Sequence, residues 1–175
     1  MGSAPLTVRR CRQEDRETVI AIANRAFQPA RRHSRQALGD KLADLVWPGG
    51  DHRSKGEEVR RHLEAHPDQC VVCEAEGRIV GFATFKFDGA FGIISNNGTD
   101  PEHHIPGTGL AMYRELLRIF REAGCQAARV VTGLADIYLP ARRSYEKAGF
   151  RRRIENVTYY LDLDELSTPD NEGTQ

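Results

Sequence analysis

Residues Ile93 to Ala123 read IISNNGTDPEHHIPGTGLAMYRELLRIFREA, and this stretch decides the fold. A short apolar run, Ile93-Ile94, meets the turn-forming cluster Asn96-Asn97-Gly98. Asp100 to Gly109 then holds two prolines, two histidines and two glycines. Beyond it, Leu110, Tyr113, Leu117 and Phe120 recur at intervals of three, four and three, which lays one apolar stripe along a helix. Gly107 and Gly109 therefore fall where a strand has ended and a helix begins. The first turn of a helix carries N–H groups without partners and the positive end of the macrodipole, so it suits a phosphate. Glycine there lets the backbone approach an anion with no Cβ in the way.

Two common phosphate motifs are excluded. No Gly-x-x-x-x-Gly-Lys-Ser/Thr run exists, and the third glycine of a dinucleotide fingerprint would fall on Met112. What remains is His104-Ile105-Pro106-Gly107-Thr108-Gly109, preceded by Asn97-Gly98-Thr99-Asp100-Pro101. It resembles the acetyl-CoA signature of the GNAT-type N-acetyltransferases, Arg/Gln-x-x-Gly-x-Gly/Ala. Downstream, Pro140-Ala141-Arg142-Arg143-Ser144-Tyr145-Glu146-Lys147-Ala148-Gly149-Phe150 is similar to that family's Ala-x-x-x-Tyr-x-Lys-x-Gly-Phe segment. Both segments occur in this order, about forty residues apart with a strand between them, and the resemblance covers the C-terminal half of the chain.

The bulk properties narrow the class. A chain of 175 residues is ordinarily one domain with a proper core. The 25 basic and 25 acidic residues balance, which argues against nucleic acid or an anionic membrane as partner. The short arginine clusters, such as Arg151-Arg152-Arg153, read as solvated faces. No run approaches the roughly 20 apolar residues of a membrane span. The start MGSAPLTVRR has no signal-peptide core, so the expected location is cytoplasmic. The four cysteines read as reduced thiols. His62, His66, Cys70 and Cys73 have the residue types of a zinc site. However, Cys70 and Cys73 lie three apart in a strand-like run, on opposite faces, so no metal is expected there.

In chain order, Leu6–Arg10 reads as a strand, Gln13–Phe27 as a helix ended by Pro29, and 28–69 as irregular. Within that irregular part, Leu38, Leu42, Leu45 and Val46 indicate a short helix stopped by Trp47-Pro48-Gly49-Gly50, and Val59 with Leu63 another. Val71–Glu76 and Ile79–Asp88 form strands joined at Glu76-Gly77, and Gly92–Ser95 begins a fourth. Ala128–Thr132 is a fifth strand, Ala141–Ala148 a short helix, and Phe150–Arg153 with Val157–Leu163 a closing strand pair. Ser167–Gln175 reads as a disordered tail, leaving residues 1–166 as a single domain. The fold class is α/β with a mixed sheet. Through the resemblance it becomes the GNAT acyl-CoA N-acyltransferase fold, a mostly antiparallel sheet flanked by helices and splayed between strands four and five.

The resemblance also implies chemistry: transfer of acetyl from acetyl-CoA to a primary amine by direct attack on the thioester, with no metal. The pyrophosphate would meet backbone N–H groups of Ile105, Gly107, Thr108, Gly109 and Leu110. His104 stands where Arg or Gln is usual, and Pro106 removes one donor, so Thr108 Oγ or a charged imidazole would compensate. A bulge at Asn96-Asn97-Gly98 would aim the N–H near Thr99 at the thioester oxygen, although Asn-Gly equally suits a plain turn. Tyr145, flanked by Ala141 and Ala148 on one helix face, would serve the sulfur as its catalytic hydrogen-bond donor. Candidates for general base are Glu74, Asp88, Asp136, His33 or a water relay, and Tyr138 stands where the family often has a cofactor-contacting asparagine. The expected acceptor is a small-molecule or peptide amine, with a homodimer left open. The alternative is a non-catalytic acyl-CoA-binding sensor or interaction module on the same fold.

Overall fold

The protein is described by a computed structural model over residues 5–48 and 54–166. The chain runs β1 (Thr7–Arg10), α1 (Arg16–Ala26), α2 (Gln28–Val46), α3 (Ser54–Ala65), β2 (Cys70–Ala75), β3 (Arg78–Asp88), β4 (Phe91–Thr99), α4 (Thr108–Glu122), β5 (Ala127–Val130) and α5 (Leu139–Ala148). The strands stand side by side in sequence order, antiparallel except for β4 and β5, which pair in parallel. The β2–β3 hairpin closes at Glu76 and Gly77, whose φ values of 52° and 72° are those of a two-residue primed turn.

The central strands are apolar on both faces because helices cover both. On one face α1 and α3 bury Val19, Ile22, Val59 and Leu63 against Cys70, Val72 and Phe82. On the other, α4 and α5 bury Met112, Tyr113, Leu116, Phe120 and Tyr145 against Val71, Cys73, Phe85 and Ile94. Cys70 and Cys73 thus lie on opposite sides of the sheet. No described helix is long and apolar enough to cross a membrane.

Gly92 shows how tightly α4 sits. A Cβ there would lie 2.1 Å from the Phe120 ring, which needs the bare backbone to reach β4. Gly92→Ala is expected to destabilise the fold by about 1–3 kcal/mol through overpacking. Urea denaturation checks this, and an unchanged midpoint would refute it.

Several elements differ from the sequence reading. Pro29 does not end the first helix but occupies the first turn of α2. The leucines of α2 do not form its buried face, since Gly39 (φ 74°) breaks the helix and resets its rotation; Ala30, Arg31 and Ala43 are buried while Leu45 is exposed. The expected stop at Trp47–Gly50 falls partly outside the described residues, and the tail Ser167–Gln175 lies wholly outside them. β5 ends at Val130, two residues early, because β4 has left its side by then.

The closing strand pair is absent: no described residue after β5 is in a strand, and Ile154, Val157 and Tyr159 are largely exposed. Alternation specifies which way side chains face but not a pairing partner. β5 offers an edge of only four residues. The segment instead anchors through Asp162 and Asp164 to Lys41 of α2.

Candidate active site

The start of α4 is built by three close approaches. Gly107 takes φ 92°, a left-handed value that lets the chain turn into the helix. Thr108 is buried over Gly81 of β3, where a Cβ would lie 2.7 Å from its methyl. Gly109 faces α5, where a Cβ would meet Ser144 Oγ at 3.1 Å. The first intrahelical bond runs from the Ala111 N–H to the Gly107 carbonyl at 2.9 Å. Thr108 spends both its N–H and its hydroxyl on the Ile105 carbonyl, at 3.3 and 2.8 Å. The N–H groups of Gly107, Gly109 and Leu110 are therefore left without intrahelical acceptors. Three donors thus stand together at the positive end of a 15-residue helix. Thr108 is buried, and its Oγ already donates within the turn. His104 is exposed.

Beside this turn, β4 parts from β5. Their ladder ends at Ile94 and Val130, while β4 continues to Thr99 against β3. The bulge lies at Ser95-Asn96, at the leading edge of the expected Asn96-Asn97-Gly98 run, where the Thr84 hydroxyl accepts the Asn96 N–H at 2.9 Å and donates to its carbonyl at 3.2 Å. Asp100 N–H bonds the Val80 carbonyl at 2.9 Å. Between these two anchors the antiparallel alternation turns Asn96, Gly98 and Asp100 toward β3 and the N–H groups of Asn97 and Thr99 outward, into the opening. Asn97-Gly98 is strand rather than turn, and Gly98 spends its backbone groups on the Phe82 partner.

The side chain of Asn97 joins these parts. Its Oδ1 accepts the Tyr113 hydroxyl at 2.7 Å and the Tyr145 hydroxyl at 3.1 Å, and the two rings lie 4.7 Å apart. Tyr145 packs with Ala141 and Ala148 in the core, as its helix face requires. Burial holds the pKa of Tyr145 above the ordinary tyrosine value. Burial, and then the neighbouring Tyr145, push that of Tyr113 further up. Both phenols are thus neutral donors. Because their folded-state pKa values are raised, their stabilising contribution is complete below about pH 10 and is lost as pH climbs above it. Tyr113→Phe should therefore cost about 1 kcal/mol at neutral pH, a deficit that shrinks as the pH rises above about 10. Urea titrations at both pH values test this, and a pH-independent deficit would contradict it.

The connection from β4 to α4 is clamped at Asp100. Its buried carboxylate accepts Arg25 at 3.0 and 3.1 Å, His103 Nδ1 at 3.1 Å and the Glu102 N–H at 3.2 Å. Burial alone would raise its pKa, but these donors outweigh it and hold the carboxyl below its usual range. Arg78 can only donate to His103 Nε2, so that histidine keeps its proton on Nδ1. Asp100, Glu102 and His103 have metal-ligand types, yet all three already serve these arginines, Glu102 through Arg25 at 3.4 Å.

Of the base candidates, Glu74 is taken by Arg9 and Asp88 lies at the β3–β4 hairpin facing Arg129. His33 stands edge-on to Tyr138, 6.5 Å between rings, and Asp136 is exposed. Two concavities of about 220 and 280 Å³ between α1 and α3, bordered by Ile20 and Arg60, sit on the far side of the sheet from the glycine turn. Sequence reasoning missed Tyr113 and the Asn97 side chain. Tyr113 lay in the apolar stripe, where its hydroxyl gave no signal.

A sequence model of the Acetyltransferase (GNAT) family matches residues 38–150, well over half the chain. Comparison with curated protein sequences gives no match. Among solved structures, a GNAT family acetyltransferase from Brucella melitensis in complex with acetyl-CoA is 18% identical, with 85% of this chain and 84% of that one covered and a TM-score of 0.57. The PaiA N-acetyltransferase of Thermoplasma acidophilum, solved with coenzyme A, is 14% identical over 82% and 88%, at a TM-score of 0.60. The ribosomal-protein-S18-alanine N-acetyltransferase of Escherichia coli is 15% identical over 91% and 86%, at 0.61. At these identities the likeness is one of fold, which agrees with the parted β4 and β5. With the family match over 38–150, this chain belongs to the acetyltransferase (GNAT) family.

Proposed function

We propose that the protein is an N-acetyltransferase that moves acetyl from acetyl-CoA to a primary amine by direct attack on the thioester. The observation that carries this reading is the meeting, beside Asn97, of three open N–H donors at the start of α4 with the outward amides of β4. Gly107, Gly109 and Leu110 would hold the diphosphate, with Ile105 and Thr108 shaping the turn. The arm would lie along the outward edge of β4.

The bulge position bears on which amide faces the thioester oxygen. Tyr145 reaches Asn97, whereas Thr99 is about 6.8 Å further along the strand. The Asn97 N–H is then the oxyanion donor, worth roughly 3 kcal/mol of barrier, and the Thr99 N–H serves the arm. Burial disfavours full proton transfer from Tyr145. Its pKa is raised, so donating to a thiolate near 8.5 is uphill by more than about 2 kcal/mol. It acts as a hydrogen-bond donor to sulfur, and when it swings away Tyr113 still satisfies Asn97 Oδ1. The amine proton leaves through His33, Asp136 or a water relay.

A panel of primary amines and N-terminal peptides, scored by released CoA thiol, tests the reading. Thiol release with one amine class is expected. Tight acetyl-CoA binding by calorimetry with no release from any acceptor would overturn it in favour of a non-catalytic sensor.

A further inference from the structure

Cys11 and Cys70 face each other across the base of the helical excursion. The β1–β2 ladder pairs Thr7 with Glu74 and Arg10 with Val71, so the next rung is Cys11 with Cys70, and the Cys11 N–H donates to the Cys70 carbonyl at 2.9 Å. A hydrogen-bonded cross-strand pair holds its Cα atoms about 5.5 Å apart, within the range a disulfide spans. Cys11 lies one residue past the end of β1, where the ladder can yield to bring the Cβ atoms together. The Cys11 thiol donates to the Arg12 carbonyl at 3.4 Å and the Cys70 thiol to the Val71 carbonyl at 3.5 Å, and the nearness of Cys70 lowers the pKa of Cys11, an effect to which Arg16 and Arg9 add. Nearness to Cys11 and burial raise that of Cys70. Cys11 is partly exposed while Cys70 is fully buried. One is thus an accessible nucleophile and the other a protected partner. Cys73 faces the opposite side of the sheet, and Cys125 follows α4.

The geometry points to a reversible Cys11–Cys70 disulfide, closed by hydrogen peroxide, as a modification site of this protein. The Cys11 thiolate attacks one peroxide oxygen, the O–O bond breaks, and the departing hydroxide takes a proton to become water, leaving Cys11 as a sulfenic acid. Cys70 gives up its proton and attacks that sulfur. The S–S bond forms as the S–O bond breaks, and the released hydroxide takes the Cys70 proton. Two thiols are oxidised by two electrons in all, and one peroxide is reduced to two waters. The bridge would tie the two ends of the segment holding α1, α2 and α3, restraining it as one unit.

The test treats the reduced full-length protein with hydrogen peroxide, alkylates the remaining thiols and maps the peptides with and without reductant. The expected result is a Cys11–Cys70 linked pair formed at least about tenfold faster than any other thiol is lost, and reopened by dithiothreitol. Cys70→Ser should leave Cys11 as a sulfenic acid trapped by dimedone, and Cys11→Ser should leave Cys70 reduced. Equal loss of all four thiols, or a linkage between other cysteines in the wild-type protein, would overturn the inference whether or not either variant folds.

Discussion

Gly107→Val is expected to weaken acetyl-CoA binding by about a hundredfold or more, close to 3 kcal/mol. At φ 92° a β-branched residue is strained by roughly 1–3 kcal/mol. Relaxing that strain rotates the first turn of α4 and scatters the N–H groups of Gly107, Gly109 and Leu110. Gly107→Asn separates the two effects, because asparagine tolerates the left-handed region while still adding a side chain. It should melt near the wild-type temperature and bind with intermediate affinity. Calorimetry with acetyl-CoA reads the affinity. If folded Val and Asn variants both bind like the wild type, the diphosphate does not rest on this turn.

Tyr145→Phe should lower kcat by about a hundredfold and leave the acetyl-CoA dissociation constant within about twofold. The change deletes one oxygen from a ring that is otherwise packed in the core, and Asn97 Oδ1 keeps its shorter bond from Tyr113. The ground-state complex therefore loses little, while charge building on sulfur loses its donor. The raised pKa adds a second signature. Turnover of the wild type should show no loss below about pH 10 from this group, since the phenol stays protonated. Wild-type turnover in the variant would remove Tyr145 from the reaction.

Much of this site was legible in the sequence because it is local. Gly107 before a stripe of period 3.6 fixes a helix start, and Pro140 with Gly149 brackets α5, whatever the rest of the chain does. Glu76-Gly77 specifies its turn in two residues. What was not legible depends on contacts between distant segments. The Asn96-Asn97-Gly98 run carries turn chemistry, yet pairing with β3 overrides it. The bond from Tyr113 to Asn97 spans 16 residues and joins a helix to a strand. The C-terminal alternation promises strands but cannot supply an edge, and α2 claims the segment through Lys41 instead.

Ile94 and Asn97 both face α4, although they stand three positions apart, and a regular strand would send them to opposite sides. The surplus residue at Ser95-Asn96 shifts the phase of β4 by one, with the Thr84 hydroxyl standing in for the missing rung. Register here is a switch of odd and even. Removing one residue from that spot would straighten the strand, carry the Asn97 amide group through to the α1 side, and leave both tyrosines without the acceptor they share.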